Sequence, residues 1–190
     1  MSNPRPCALH FPGALLLCLL FSKMAIGQDT PTSQVTEGFV NAPVATVWQI
    51  FTTSEGYRAT GADQAEVDLR LGGSIASRRG TSGSLGDPET RVDEILAYEP
   101  QRMLTLRNRQ MPASDPHREA VAGTWTVIYF TPSGDDMTHV RIVTLGFDDT
   151  AASQALRKAT GEANRAMLDA LARPYWPKCK LCAAPDSEQQ

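Results

Sequence analysis

The sequence predicts an α+β domain in which a meander of antiparallel strands packs against one long C-terminal helix. Three observations predict it. Six segments between residues 65 and 147 read as strands punctuated by turn residues. A helical pattern from Ala151 to Ala172 contains no proline and spans about six turns, long enough to lie across a sheet. Between the first strand and the meander, Pro43 opens a short amphipathic helix.

Val35 to Val40 reads as the first strand, after a polar linker over residues 28–34. Val44, Val47, Trp48 and Phe51 then recur at i, i+3, i+4 and i+7, one apolar stripe that ends near Thr52-Thr53. Ser54-Glu55-Gly56-Tyr57 supplies one further helical turn. From Ala65 the period changes to two: Val67, Leu69 and Leu71 alternate with Glu66, Asp68 and Arg70, a strand wet on one face. Gly72-Gly73 turns the chain, and Ile75 to Arg79 returns it as a hairpin.

Gly80 to Glu89 holds three glycines and Asp87-Pro88, so it is a loop. Arg91 to Glu99 is a strand, Pro100-Gln101 a tight turn, and Arg102 to Arg109 a strand in which Leu104 and Leu106 alternate with polar neighbours. Gln110 to Glu119, with Pro112 and Pro116, is a second loop. The β-branched and aromatic run Thr124 to Phe130 is the strongest strand signal in the chain. Ser133-Gly134-Asp135-Asp136 turns into the last strand, His139 to Phe147. In the long helix Leu156, Ala159, Ala163, Met167 and Leu171 fall at helical spacing, and Pro174 and Pro177 end it. Strands joined in sequence order make an antiparallel sheet, and the long helix must cover one of its faces.

The 190 residues, with 42% apolar and 21% charged side chains, have room for one domain with a hydrophobic core. Residues 1–27 differ from the rest. Arg5 precedes an apolar run from Ala14 to Phe21, followed by Ala25-Ile26-Gly27, the pattern of a secretory signal cut between Gly27 and Gln28. The run is about half the length that a membrane-spanning helix needs. Cys18 is no lipidation site, because Leu17 stands where a small residue is required. The mature chain is therefore expected in the periplasm or outside the cell, without stable membrane insertion. It keeps 16 basic and 21 acidic side chains, a formal charge of −5. Neither nucleic acid nor anionic membrane fits that charge. Oligomeric state is not legible.

Cys179 and Cys182 remain after cleavage, in a tail over residues 174–190. A redox pair of this spacing opens a helix that lowers one thiol's pKa, whereas these two follow a helix. Zinc needs further ligands that the sequence lacks. A local disulfide in an oxidising compartment, or an intermolecular one, is the remaining expectation, and the tail should be dispensable. There is likewise no metal-ligand spacing, phosphate loop or G-x-S-x-G, and no cofactor is expected. His117 and His139 have no partner to orient them. Asp87, Glu89, Glu94, Glu99 and Asp148 read as scattered, solvated acids.

Four stretches in order resemble SRPBCC (START-like) domains, of the type related to activators of the heat-shock-protein ATPase. They are Val40 to Trp48, Asp68 to Ser74, Ile95 to Leu104 and Thr138 to Ile142, within residues 35–173. The resemblance implies a helix-grip fold: a curved seven-stranded sheet gripping the C-terminal helix, with a cavity between them. It also implies a wide range of functions, from lipid carriers and cyclases to hormone receptors and co-chaperones. Tyr57-Arg58-Ala59-Thr60 stands where many relatives carry a tryptophan, which implies a more polar cavity mouth. An exported chain would not meet a cytosolic heat-shock ATPase.

Within such a cavity, Trp125, Val127 and Tyr129 on one strand face would lie under Ala163 and Met167 of the helix, with Tyr57, Leu69 and Leu106 completing the lining. The alternative is that these side chains fill a solid core. The expectation is a non-catalytic binding or carrier domain for a small apolar molecule. A cyclase- or hydrolase-like enzyme is the alternative, favoured if two ionisable side chains converge inside the cavity.

Overall fold

The computed structural model describes residues 31–175. Seven strands form one antiparallel sheet: β1 (Ser33–Val40), β2 (Gln64–Val67), β3 (Ser74–Arg78), β4 (Arg91–Glu99), β5 (Met103–Gln110), β6 (Trp125–Pro132) and β7 (Thr138–Leu145). Their order across the sheet is β1-β7-β6-β5-β4-β3-β2. The meander β2 to β7 thus runs edge to edge, and β1 closes on the last strand. Two short helices, α1 (Val44–Thr52) and α2 (Ser54–Arg58), follow β1, and α3 (Ala151–Ala172) follows β7. This is the helix-grip architecture that the sequence predicts.

The boundaries depart from the sequence reading in several places. Ser33 and Gln34, expected in the linker, already pair with Leu145 and Thr144 as the start of β1. The strand from Ala65 stops at Val67, because Arg70 and Gly73 close a turn by donating to the carbonyls of Asp68 and Arg70. Leu71, expected on the dry face, is consequently 66% exposed. A 3₁₀ turn, Ala120–Gly123, ends the second loop.

α1 buries Val47, Trp48, Ile50 and Phe51 against the sheet. The rings form a hub, with Phe130 meeting Trp48 edge-on at 5.4 Å between centroids and Phe51 at 5.3 Å. Such aromatic pairs contribute about 0.5–1.5 kcal/mol each beyond their burial. α3 is capped by Thr150, whose hydroxyl accepts from the amide of Ser153 at 3.2 Å. It buries Leu156, Leu168 and Leu171, packs chiefly along β1, and touches the 3₁₀ turn near its own start. Over β4 to β6 it stands away from the sheet.

Candidate functional site

The gap between α3 and the sheet is a cavity of about 720 Å³. Its floor is the concave sheet face, and cross-strand register sets its chemistry row by row. One row is Ile142, Ile128 and Leu104. The next is Thr144, Thr126, Leu106 and Ile95. Beyond it come Asn108, Asp93 and Ile75, and then Arg91 with Ser77. Polarity therefore rises along the strands. Leu156, Ala163 and Met167 of α3 and Phe51 of α1 form the apolar wall, and Tyr57 with Thr60 lines the end of α2.

The polar end is built around Asp93, whose side chain is only 3% exposed. Arg91 Nε and Nη2 donate to its two oxygens at 2.7 and 3.1 Å, and Asn108 Nδ2 donates to Oδ1 at 3.1 Å. Removing a carboxylate from water is costly without such partners, and here it has three N–H donors. The neighbouring carboxylate holds the Arg91 guanidinium in its charged form even more firmly than usual. Burial, and then the charge of Asp93, push the Tyr57 phenol up to about 12 against the opposing effect of Arg91.

Two irregularities bracket these groups. Between Val92 and Asp93 the register with β5 slips, because Val92 pairs with Gln110 while Asp93 pairs with Asn108, leaving Arg109 unopposed. A second slip leaves Leu96 unopposed: Asp93 and Ile95 before it face the cavity side, and Tyr98 beyond it is returned to that same side, where it meets Trp48. Bulges of this kind re-aim side chains. Plain alternation would have grouped Val92, Leu96 and Tyr98 as the dry face and Asp93 with the wet one. Asp93 and Arg91 were therefore hidden as site residues, whereas Asn108 falls by plain alternation on the face of Leu104 and Leu106.

Of the residues expected to line the cavity, Tyr57, Leu106, Trp125, Ala163 and Met167 do so. Trp125 stands at the start of β6 and is 41% exposed. Leu69 packs instead against the hydrophobic core, in the turn after β2. Val127 and Tyr129 lie on the opposite, outer face of the sheet. Tyr129 is 41% exposed, and the guanidinium of Arg141 stands 5.8 Å from its ring centre. The physical reason is that β6 is apolar on both faces. Ile128 and Phe130 take the inner side with Thr126, whose hydroxyl is bonded to that of Thr144 at 3.0 Å.

The acids expected to be solvated have structural partners. Asp87 accepts from Arg78 Nη1 at 2.7 Å and from the amide of Glu89 at 2.9 Å, tying the first loop together. Glu89 accepts from Ser114 at 2.6 Å, which joins that loop to the second. Glu94 lies on the outer face, where the hydrogen bond from Arg107, with Arg109 beside it, holds its carboxyl below the usual range. Asp148 bonds Thr150 at the start of α3 and is likewise held low. Glu99 pairs with Arg102 in the open. His117, for which the sequence offers no orienting partner, is among the residues lining the cavity, and His139 packs at a tilt against Phe39 outside. The tail with Cys179 and Cys182, and residues 1–27, lie outside the described residues.

A mixed helix-and-sheet cavity of this shape defines a START-like, helix-grip domain. Residues 41–174 match the family model for "Activator of Hsp90 ATPase homolog 1-like protein", and the chain belongs to that family. No curated protein matches the chain in sequence. Among solved structures, protein MLL2253 from Mesorhizobium loti is similar with a TM-score of 0.56 and 17% identity, over 74% of this chain and 94% of that one. The Aha1 dimer from Colwellia psychrerythraea superposes with a TM-score of 0.54 and 15% identity, covering 75% and 97%. The di-domain ARO/CYC BexL from the BE-7585A biosynthetic pathway gives 0.57 and 16% identity, covering 74% of this chain and 45% of that one. At such identities the likeness is one of fold.

Proposed function

We propose that this chain is an exported binding or carrier domain that holds a small, largely apolar molecule between the sheet and α3. The observation that carries the proposal is the cavity of about 720 Å³ walled by Phe51, Leu106, Ile128, Ile142, Leu156 and Met167. Ligand pockets commonly measure about 300–1,000 Å³ and combine apolar walls with a few placed polar groups. A domain built only to be stable would close such a space, since interiors pack to the density of organic crystals. The signal-like residues 1–27 support export, which would part the chain from a cytosolic ATPase and leave the cavity as its working feature.

The test is titration of the purified mature protein with the neutral probe N-phenyl-1-naphthylamine. Binding near one to one, with a melting temperature that rises with probe, is expected, because at about 100 times Kd a ligand adds about 2.7 kcal/mol to the folded state. Ala163→Phe, which fills the space from α3, should abolish binding while the fold survives. Equal binding by the two proteins would place the probe elsewhere. N-terminal sequencing should find the secreted chain starting at or near Gln28, and a cytoplasmic chain starting at Met1 would end the export reading.

One observation favours a second reading as an enzyme: Arg91 and Asp93 converge in the cavity, the arrangement on which the enzyme expectation turned. Against it, the carboxylate already accepts three N–H bonds, and a base needs a lone pair within reach of the substrate's proton. Native mass spectrometry of protein purified from its own source separates the two. A carrier releases the same molecule from the wild type and from Asp93→Asn, whereas an enzyme releases converted molecule from the wild type alone.

A further inference from the structure

We infer that the molecule held in this cavity carries a neutral hydrogen-bond acceptor, a ketone, ester or amide carbonyl rather than a carboxylate, which docks on the free edge of Arg91 beside Tyr57. The inference deepens the ligand-binding reading of the cavity and rests on it.

The floor of the cavity is graded, with isoleucines at one end and the Asn108, Asp93 and Arg91 rows at the other. A molecule that is apolar throughout would leave the far end facing hydrocarbon, and buried polar groups without partners are costly. Arg91 engages Asp93 through Nε and Nη2, which is its side edge. Its Nη1 has no acceptor among the described residues, and 45% of the side chain is exposed on the cavity wall. A guanidinium carries five N–H donors, so this edge offers N–H groups to an incoming oxygen. The hydroxyls of Thr126 and Thr144 are already bonded to each other and make no comparable demand.

The charge of the visitor follows from the other side chains around the space. Arg78, Arg79 and Arg91 are balanced by Glu89, Asp93 and Asp115, and Arg78 is paired with Asp87 at the loop. Asp115 is near enough to Arg91 to act on its charge together with Asp93. A carboxylate docking on Arg91 would therefore meet the carboxylate of Asp93 across one guanidinium, with Asp115 lining the same space, and like charges at such range repel. Tyr57 supports the same conclusion, because its phenolate, a second anion at this spot, is disfavoured by burial and by Asp93. A neutral carbonyl avoids the repulsion and accepts from both the guanidinium and the phenol.

Three naphthalene probes of similar size test this by isothermal titration at neutral pH: 2-ethylnaphthalene, 2-acetylnaphthalene and 2-naphthoate. The ketone is expected to bind the wild type at least tenfold more tightly than the hydrocarbon or the carboxylate. In Asp93→Asn, which keeps the shape and removes the balancing charge, 2-naphthoate should gain at least tenfold. Should that variant fail to fold by circular dichroism, Tyr57→Phe decides, with several-fold weaker binding of the ketone and unchanged binding of 2-ethylnaphthalene. Ketone binding no tighter than that of either other probe overturns the neutral-acceptor inference and leaves the cavity reading intact. Binding of none of the three overturns the cavity reading itself.

Discussion

Gly38 on β1 lies directly against Leu168 of α3, so that a β-carbon at position 38 would stand 3.3 Å from Cδ1 of the leucine. This is where the helix closes on the sheet. Ala at this place would require Leu168 to yield by a few tenths of an ångström. Val would lift the helix. Gly38→Val is expected to lose about 1–3 kcal/mol through overpacking, measured by denaturant unfolding. An unchanged midpoint would mean that α3 is not seated on β1.

The helix should otherwise be held by its buried leucines. Leu156 is buried, whereas its neighbour Arg157 bonds Gln154 and Gln34 at the surface. Leu156→Ala should cost about 2 kcal/mol or somewhat more, the lower end of the usual range, since part of its surroundings is already open cavity. Arg157→Ala should cost below about 0.5 kcal/mol. Equal effects from the two would show that the helix does not dock by this stripe.

Arg91 and Asp93 behave as a unit. Removing the arginine alone leaves a carboxylate that is 3% exposed with only Asn108 to meet it. Arg91→Ala should therefore destabilise by about 2–3 kcal/mol, less than a fully buried pair because the guanidinium is partly open. The double change Arg91→Met with Asp93→Leu should recover most of that loss, and a double-mutant cycle measures the coupling. Additive losses would mean that the pair is not coupled.

Tyr57 gives a pH signature. Its folded-state pKa of about 12 exceeds the unfolded value of about 10, so the folded chain keeps a proton that the unfolded chain has released. The contribution is complete below about pH 10 and is lost as pH rises toward 12. Near-ultraviolet phenolate absorbance of the wild type, minus that of Tyr57→Phe, should show one titration step displaced to about 12. A step at the ordinary tyrosine value would mean that the phenol is open to water and out of reach of Asp93.

The fold was legible in the sequence because its signals are local and mutually consistent. Pro43 and the stripe Val44, Val47, Trp48 and Phe51 mark α1, and the proline-free run Ala151 to Ala172 marks α3 with both ends correct. The cavity was legible in part. Tyr57, Leu106, Ala163 and Met167 follow from burial pattern and family resemblance, but the face of β6 does not. Trp125, Val127 and Tyr129 compete with Ile128 and Phe130 for the inside, and only pairing partners decide between them. Tyr129 sits opposite Arg141 and Met103, which fixes it outside. Arg91 and Asp93 were least legible, because the slip at Leu96, which brings Tyr98 to their side, depends on pairing across strands.

The unopposed Leu96 divides β4 into two stretches with different neighbours. Before it, residues 91, 93 and 95 face the cavity side, and after it Tyr98 packs on Trp48 as part of the aromatic hub. One strand thus lines the cavity with its first half and holds the hub of rings with its second. A relative that needed a wholly greasy floor would have to change positions 91, 93 and 108 together, because removing Arg91 alone strands the buried carboxylate of Asp93.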